Sequence, residues 1–350
     1  MHFFSLTSTE FLNIMHERWG KGLFHGLAAY RQVLKHGKPY IAAAPEFSAN
    51  PALARDICSA FALTVPRIAE IAEDAGSSKI VFRLTDGLLV EAVWLPMPRR
   101  ATLCISSQAG CRMGCTFCRT GALGFKRDLL AEEIAGQVWA VRHGLGRPVD
   151  NIVFMGMGEP LDNFDNVAQA IRVLSDQHGF DIAHSRITVS TAGLPHGIHR
   201  MGELNWPGLN LAVSLNAAND GLRSQLMPVN RTYPLQHLKN ELLSYPLRKR
   251  GVFFIEYVLL KGVNDGPEHA AELIGFVEGL PVRVNVIGYN RVSDLLFESP
   301  GEEACRLFCK RIADAGIFVR LRSSRGQSVR AGCGQLGGPL HFNQTINSLR

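Results

Sequence analysis

The chain has 350 residues, enough for one large domain and a smaller companion. With 46% hydrophobic and 19% charged residues it has the make-up of a soluble globular protein. The longest apolar run, Val252 to Leu260, is broken by Glu256 and falls short of the ~18 residues that a membrane helix needs. Eight cysteines in so long a chain exclude a compact secreted disulfide scaffold, and a net charge of +6 directs attention to acidic partners, RNA and DNA first.

In chain order, Met1 to Glu10 lacks the basic start and cleavage pattern of a signal peptide, so a cytoplasmic protein without membrane attachment is expected. Residues 1 to about 60 read as helical, punctuated by Asn50-Pro51 and Pro66. Two strands around the Asp86-Gly87 turn then predict a hairpin over 79–95. Pro96-Met97-Pro98 reads as a linker, so 1–96 is expected to form an N-terminal accessory domain, helical and then a β-hairpin.

From residue 101 short β-branched runs alternate with helix-length segments. Strands are expected at Thr102–Ser106, Asn151–Met155, Arg186–Thr191, Leu209–Leu215, Val252–Leu260, Arg283–Tyr289 and Phe318–Leu321. Helices are expected at Ala131–His143, Asp165–His178, Leu235–Arg248, Glu268–Glu278 and Glu302–Ala315. This rhythm predicts an α/β fold, an incomplete TIM-like (β/α)6 barrel over 97–322, with functional residues after the strand C-termini. The Gly-rich, polar remainder, 323–350, reads as a C-terminal loop segment containing Cys333.

The chemistry-bearing motif is Cys111-Arg-Met-Gly-Cys115-Thr-Phe-Cys118, placed just after a strand. Three adjacent thiolates with no fourth nearby suit a four-iron cluster that keeps one iron open. Phe117 would shield it. The spacing also admits a zinc site with a distant fourth ligand.

This C-x3-C-x2-C motif resembles the signature of radical S-adenosylmethionine (SAM) enzymes, and Met155-Gly-Met-Gly158-Glu159-Pro160 resembles their glycine-rich SAM element. A closer resemblance is to the RlmN/Cfr-type RNA adenine methyltransferases. It is carried by Thr102 to Cys111, Gly124-Phe-Lys-Arg127, Gly136 to Trp139, Thr188 to Gly193, Ser214 to Ala217, Tyr257 to Asp265 and Ala331-Gly-Cys-Gly-Gln-Leu336. The resemblance runs in order across residues 91 to 336 and is loose over the first ninety.

That resemblance implies one [4Fe-4S] cluster on Cys111, Cys115 and Cys118, and two SAM molecules per turnover. It implies SAM contacts at Gly158, Glu159, Ser190, Ser214, Leu215, Asn216 and Asn290. The family usually has His where this chain has Asn216, which can hydrogen bond but cannot carry charge. Cys333 is implied as the methyl-carrying cysteine, Cys104 as the thiol that resolves the enzyme–RNA crosslink through a transient disulfide, and Glu91 as proton acceptor. The substrate implied is adenine in ribosomal or transfer RNA, with carbon 2 preferred over carbon 8, and the electron donor a flavodoxin or ferredoxin. Read without the resemblance, Glu91 fits the polar face of an alternating strand.

Two other readings stay open on the residues alone: a radical SAM enzyme of another reaction class, and an RNA-binding protein with a structural metal cluster. Cys58, Cys305 and Cys309 read as small apolar core residues. Arg99-Arg100, Lys126-Arg127, Arg248 to Arg250 and Arg320 to Arg330 are candidate phosphate contacts.

Overall fold

The computed structural model describes every residue except positions 75, 207, 293, 323–329 and 338–350. The predicted C-terminal loop segment therefore lies outside the described residues apart from 330–337. Short β-branched runs form β1 (Arg67–Asp74), β2 (Ser77–Arg83), β3 (Leu89–Pro96), β4 (Ala101–Cys104), β5 (Gln108–Gly110) and β6 (Phe125–Asp128). They continue as β7 (Asn151–Phe154), β8 (Ile187–Thr191), β9 (Asn210–Ser214), β10 (Phe253–Leu259), β11 (Val282–Gly288) and β12 (Val319–Arg322).

Ten of these strands form one sheet in the order β1-β2-β3-β4-β7-β8-β9-β10-β11-β12, while β5 and β6 pair as a separate ribbon. Pairing is antiparallel from β1 to β4 and parallel from β4 to β12. Parallel neighbours need a crossover, and a helix supplies each one. These helices are Ala131–Trp139, Phe164–Ser175, Pro195–Glu203, Leu235–Ser244, Pro267–Val277 and Glu302–Asp314. Phe154, Ser190, Ser214, Glu256 and Ile287, from five adjacent strands, line one cavity. The cavity thus lies at the C-terminal edge of the parallel strands, in a sheet that is open at both ends with β1 and β12 as its edge strands.

The hairpin at Asp86-Gly87 forms as expected, with the Leu88 amide donating to the Asp86 carboxylate at 3.0 Å. Its strands are not separate from the parallel sheet: Pro96 and Ala101 are register partners of β3 and β4 across the Pro-rich linker. Strand β1 and the β5–β6 ribbon have no counterpart in the sequence expectation. Charged Arg67, Glu70, Glu73 and Asp74 obscure the alternation of β1, which lies half-exposed at the sheet edge.

The N-terminal helices are Ser8–Trp19, Leu23–Tyr30 and Pro51–Ala60, and this part of the chain meets the first two crossover helices and their ends through residues 3–8 and Val33. The Trp139 indole donates to the Val33 carbonyl at 2.8 Å, the Ser8 amide donates to Asp176 at 2.6 Å, and the Phe4 and Trp139 rings meet at 5.8 Å. Cys58 departs from its expected place in the core: Leu53, Ala54 and Ile57 form the buried face of its helix, and Cys58, about 100° round from Ile57, is exposed. Cys305 is buried and Cys309 half-buried, as expected of small apolar residues.

Phe3 centres an aromatic cluster, with ring centroids 4.8 Å from Phe11, 5.8 Å from Tyr30 and 6.0 Å from Phe61. Its side chain is wholly buried. Phe3→Ala is expected to lower unfolding free energy by about 3–5 kcal/mol, as large-to-small changes in packed cores do. Chemical denaturation measures this, and a loss below ~1 kcal/mol would show that the N-terminal helices are not packed on this cluster.

Candidate active site

The cavity at the strand C-termini encloses about 1010 Å³ of non-protein space, part of it open to solvent. Cys111, Cys115 and Cys118 line it together with Phe117, Gly158, Glu159, Ser190, Ser214, Asn216 and Cys333. Nine of the thirteen residues singled out from the sequence thus meet in one place. Leu215 and Asn290 lie behind the wall, and Glu91 and Cys104 sit outside the lining.

The loop bearing the three cysteines is pinned at both ends. The Cys111 amide donates to the Gly124 carbonyl at 3.2 Å, and the Thr116 amide donates to the Leu226 carbonyl at 2.9 Å. Burial pushes all three thiols up, Cys111 to about 12, and for Cys115 the neighbouring Cys118 and Cys111 add to the effect. Neutral thiols here become thiolates only when a cationic group takes up their charge. Among the described residues no three His, Cys, Asp or Glu side chains gather closely enough for a single metal ion. Three thiols around one cavity rim instead suit the separate corners of an iron–sulfur cluster.

The glycine-rich turn after β7 has a steric reason. Gly158 has φ 102°, and a Cβ there would meet the Gln108 amide nitrogen at 2.7 Å and its Cβ at 2.6 Å. The adjacent Glu159 is buried and accepts from the Leu161 amide at 3.0 Å and the Ala192 amide at 2.7 Å. Its carboxylate therefore fastens the end of β7 to the end of β8. Burial pushes its pKa up to about 7 against those hydrogen bonds.

Ser190, Ser214 and Tyr289 line the cavity, and the Tyr289 hydroxyl is buried close to the backbone of Val292. Asn216 adopts the left-handed conformation, φ 57°, which Asn tolerates better than most residues. Its side-chain oxygen accepts from the Val258 amide at 2.9 Å, and its amide reaches Met227 Sδ at 3.3 Å. Asn216 thus builds the wall between β9 and β10 while facing the cavity.

The segment 330–337 is clipped onto the residues that follow Cys118. The Arg119 amide donates to the Gly334 carbonyl at 2.8 Å and the Thr120 hydroxyl to the Leu336 carbonyl at 2.8 Å. The side-chain amide of Asn290 donates to the Cys333 carbonyl at 3.3 Å, and only a glycine fits next to it, since a Cβ on Gly332 would lie 2.5 Å from that nitrogen. Cys333 is exposed in surface terms because its side chain opens into the cavity, yet it lies deep in the protein. Burial, with Glu256 and Cys118 nearby, pushes its thiol up to about 11.

Cys104, at the end of β4, is buried, and its thiol is raised by burial and by the neighbouring Cys333. All eight cysteines are free thiols, so the two are neighbours without an S–S bond. Glu91 is not on a polar face: it is 3% exposed between buried neighbours on β3. It accepts from the Gly337 amide at 3.0 Å and lies 3.8 Å from Lys79 Nζ. Burial raises its pKa, with Lys79 opposing.

Sequence reasoning missed Glu256, on the cavity wall, whose carboxylate accepts from Asn285 at 2.7 Å. An acid in the apolar run Phe253–Leu259 was the available signal. It also missed Arg223, wholly buried beneath the cavity. Of the candidate phosphate contacts, Arg127 is committed to Glu133 at 2.7 Å and Asp86 at 2.6 Å. Arg99, Arg100, Lys126, Arg320 and Arg322 are exposed, and the middle of the last basic group lies outside the described residues.

Glu159 has a folded-state pKa of about 7 against an ordinary 4.5. A raised carboxyl contributes stability below its unfolded pKa and loses it as pH rises through the folded value. Relative to Glu159→Gln, the ligand-free wild-type chain is expected to lose about 3 kcal/mol between pH 4.5 and 7. Paired denaturation curves across that range test this, and a pH-independent difference would contradict it.

A model of the radical SAM superfamily matches residues 105–274. A probable dual-specificity RNA methyltransferase RlmN 1 of Protochlamydia amoebophila is 40% identical over 333 residues, 95% of this chain and 93% of that one. The dual-specificity RNA methyltransferase RlmN of Syntrophobacter fumaroxidans is 47% identical over 265 residues, covering 75% and 77% of the two chains. The crystal structure of a radical SAM methyltransferase from Sphaerobacter thermophilus superposes with a TM-score of 0.89 at 33% identity, covering 96% of this chain and 99% of that one. With this likeness running through the fold and the cysteine loop alike, the chain belongs to the RlmN family of the radical SAM superfamily.

Proposed function

We propose that this protein methylates carbon 2 of an adenine in ribosomal or transfer RNA, using Cys333 as the methyl carrier. The observation that carries the reading is the seating of Cys333: Arg119 and Thr120, directly after Cys118, hold its segment against the cysteine loop. Family membership implies a [4Fe-4S] cluster and SAM. Cys111, Cys115 and Cys118 would hold the cluster, which when bound supplies the electron that splits SAM into methionine and an adenosyl radical.

SAM would lie among Gly158, Glu159, Ser190, Ser214 and Asn216, with Leu215 and Asn290 supporting the wall from behind. Ring carbon 2 of adenine is a poor nucleophile, which explains the need for a carrier. In this reading the Cys333 thiolate accepts a methyl group from one SAM, and a second SAM yields the radical that takes hydrogen from that methyl. The resulting carbon radical would add to ring carbon 2 and join enzyme to RNA, and the adduct would return one electron to the oxidised cluster. Glu91 accepts the ring proton, which its raised pKa favours. Cys104 then attacks the Cys333 sulfur, the S–CH2 bond breaks, the released carbon takes a proton to become the methyl group, and a disulfide is left for external reduction.

Such an order of events needs Cys104 dry until the end, and its burial supports this. Access by RNA requires the adenine to leave its stack. Exposed Arg99, Arg100 and Lys126 offer phosphate contacts, and a flavodoxin or ferredoxin is the proposed electron source. No helix among the described residues is long and apolar enough to cross a membrane.

Anaerobically reconstituted protein is expected to carry an added methyl or methylene on Cys333 and to produce 2-methyladenosine in RNA, both read by mass spectrometry. Cys333→Ala is expected to abolish both, and Cys104→Ala to accumulate a protein–RNA adduct. Normal methylation by Cys333→Ala would remove the carrier mechanism, and 8-methyladenosine would overturn the carbon assignment.

A further inference from the structure

Arg223 is the largest side chain wholly out of contact with solvent. Its guanidinium bonds three carbonyls at the strand ends, Leu215 O at 3.1 Å, Ala192 O at 2.6 Å and Ser214 O at 3.3 Å, and the Asn230 Oδ1 at 2.9 Å. Every partner is a neutral oxygen. The two other guanidiniums on the cysteine loop differ, since Arg112 is paired with Asp162 and Arg119 with Asp294. Arg223 bonds no carboxylate among the described residues, so the interior holds a cation without a bonded counter-ion. Such a group is expensive to bury.

Its helix, Asp220–Leu226, is joined directly to the cysteine loop. The Leu226 carbonyl accepts from the Thr116 amide at 2.9 Å, one residue after Cys115. Two of the carbonyls that hold the guanidinium belong to Ala192 and Ser214, which line the same cavity as Cys115. Ala192, which accepts from Arg223, also donates its amide to Glu159. The cation is therefore fixed between the SAM-facing turn and the corner of the cavity that holds Cys115.

We propose that Arg223 is the buried counter-charge of the iron–sulfur cluster, a positioning residue that favours its one-electron reduction. Three thiolates around a four-iron core in its oxidised state carry a net negative charge, and the arriving electron makes it more negative. In a low-permittivity interior a fixed cation nearby lowers the free energy of the reduced form more than that of the oxidised form. Asp220, which begins the same helix, partly offsets the cation and supplies an opposite lever.

The test is an anaerobic redox titration of the reconstituted, SAM-free protein, following the reduced cluster by electron paramagnetic resonance. Arg223→Gln removes the charge, Arg223→Lys keeps it, and Asp220→Asn removes the offsetting carboxylate. At a fixed potential near the wild-type midpoint, Arg223→Gln is expected to lower the reduced-to-oxidised ratio about tenfold. Arg223→Lys is expected to restore most of it, and Asp220→Asn to raise it above wild type. A wild-type ratio in Arg223→Gln, or an equal fall in Gln and Lys variants, would overturn the proposal. Should Arg223→Gln fail to assemble a cluster, Asp220→Asn decides: a raised ratio supports the counter-charge, and an unchanged one removes it.

Discussion

The clip between segment 330–337 and the start of the short helix after Cys118 is the contact on which the site depends. Without the bonds from Arg119 to Gly334 and from Thr120 to Leu336, a glycine-rich segment would have no reason to lie on the cavity. With them, a thiol distant in sequence is brought beside the cysteine loop at the cost of ordering only a few residues. The same segment closes over Glu91 through Gly337, so the carboxyl and both extra cysteines are assembled by one docking event. In the proposed mechanism, substrate carbon, Glu91 and Cys104 need closely fixed relative positions, which a segment free to move would not give.

A second constraint is the bracing of the strand ends. The peptide of Ala192 is held from one side by Glu159 and from the other by Arg223, so β7, β8 and β9 are tied together where side chains face the cavity. Asn216 adds the link from β9 to β10. Buried polar groups are costly unless satisfied, and here Glu159, Arg223 and Asn216 are satisfied by backbone and neutral side-chain groups rather than by other charges. The rim thus stays fixed around the cavity that Ser190 and Ser214 line.

Much of this was legible in the sequence. Alternating β-branched and helical runs foretold every parallel strand, because strands buried on both faces read as continuous apolar stretches. The cysteine spacing and the Gly-Glu-Pro turn marked the cavity, because ligand geometry and a forbidden Cβ constrain residue type locally. What stayed hidden depends on partners far away in the chain. Glu91 reads as a solvent-facing residue until Gly337 and Lys79 are seen around it. Arg223 reads as one more surface arginine on a short helix, and only the carbonyls of β8 and β9 explain it. Strand β1 was concealed by its charges, and Cys58 fell on the wrong side of its helix because a single turn carries no reliable phase.

The most direct measurement of the central claim, that Cys333 is held between the cysteine loop and Cys104, is disulfide mapping. Cluster-loaded protein, its three ligand thiols protected, would be treated with a mild thiol oxidant and digested under non-reducing conditions. A Cys104–Cys333 peptide as the dominant product is the predicted result. Pairing of Cys333 with Cys58, Cys305 or Cys309, or between molecules, with Cys104 left free, would contradict the arrangement and with it the account of catalysis.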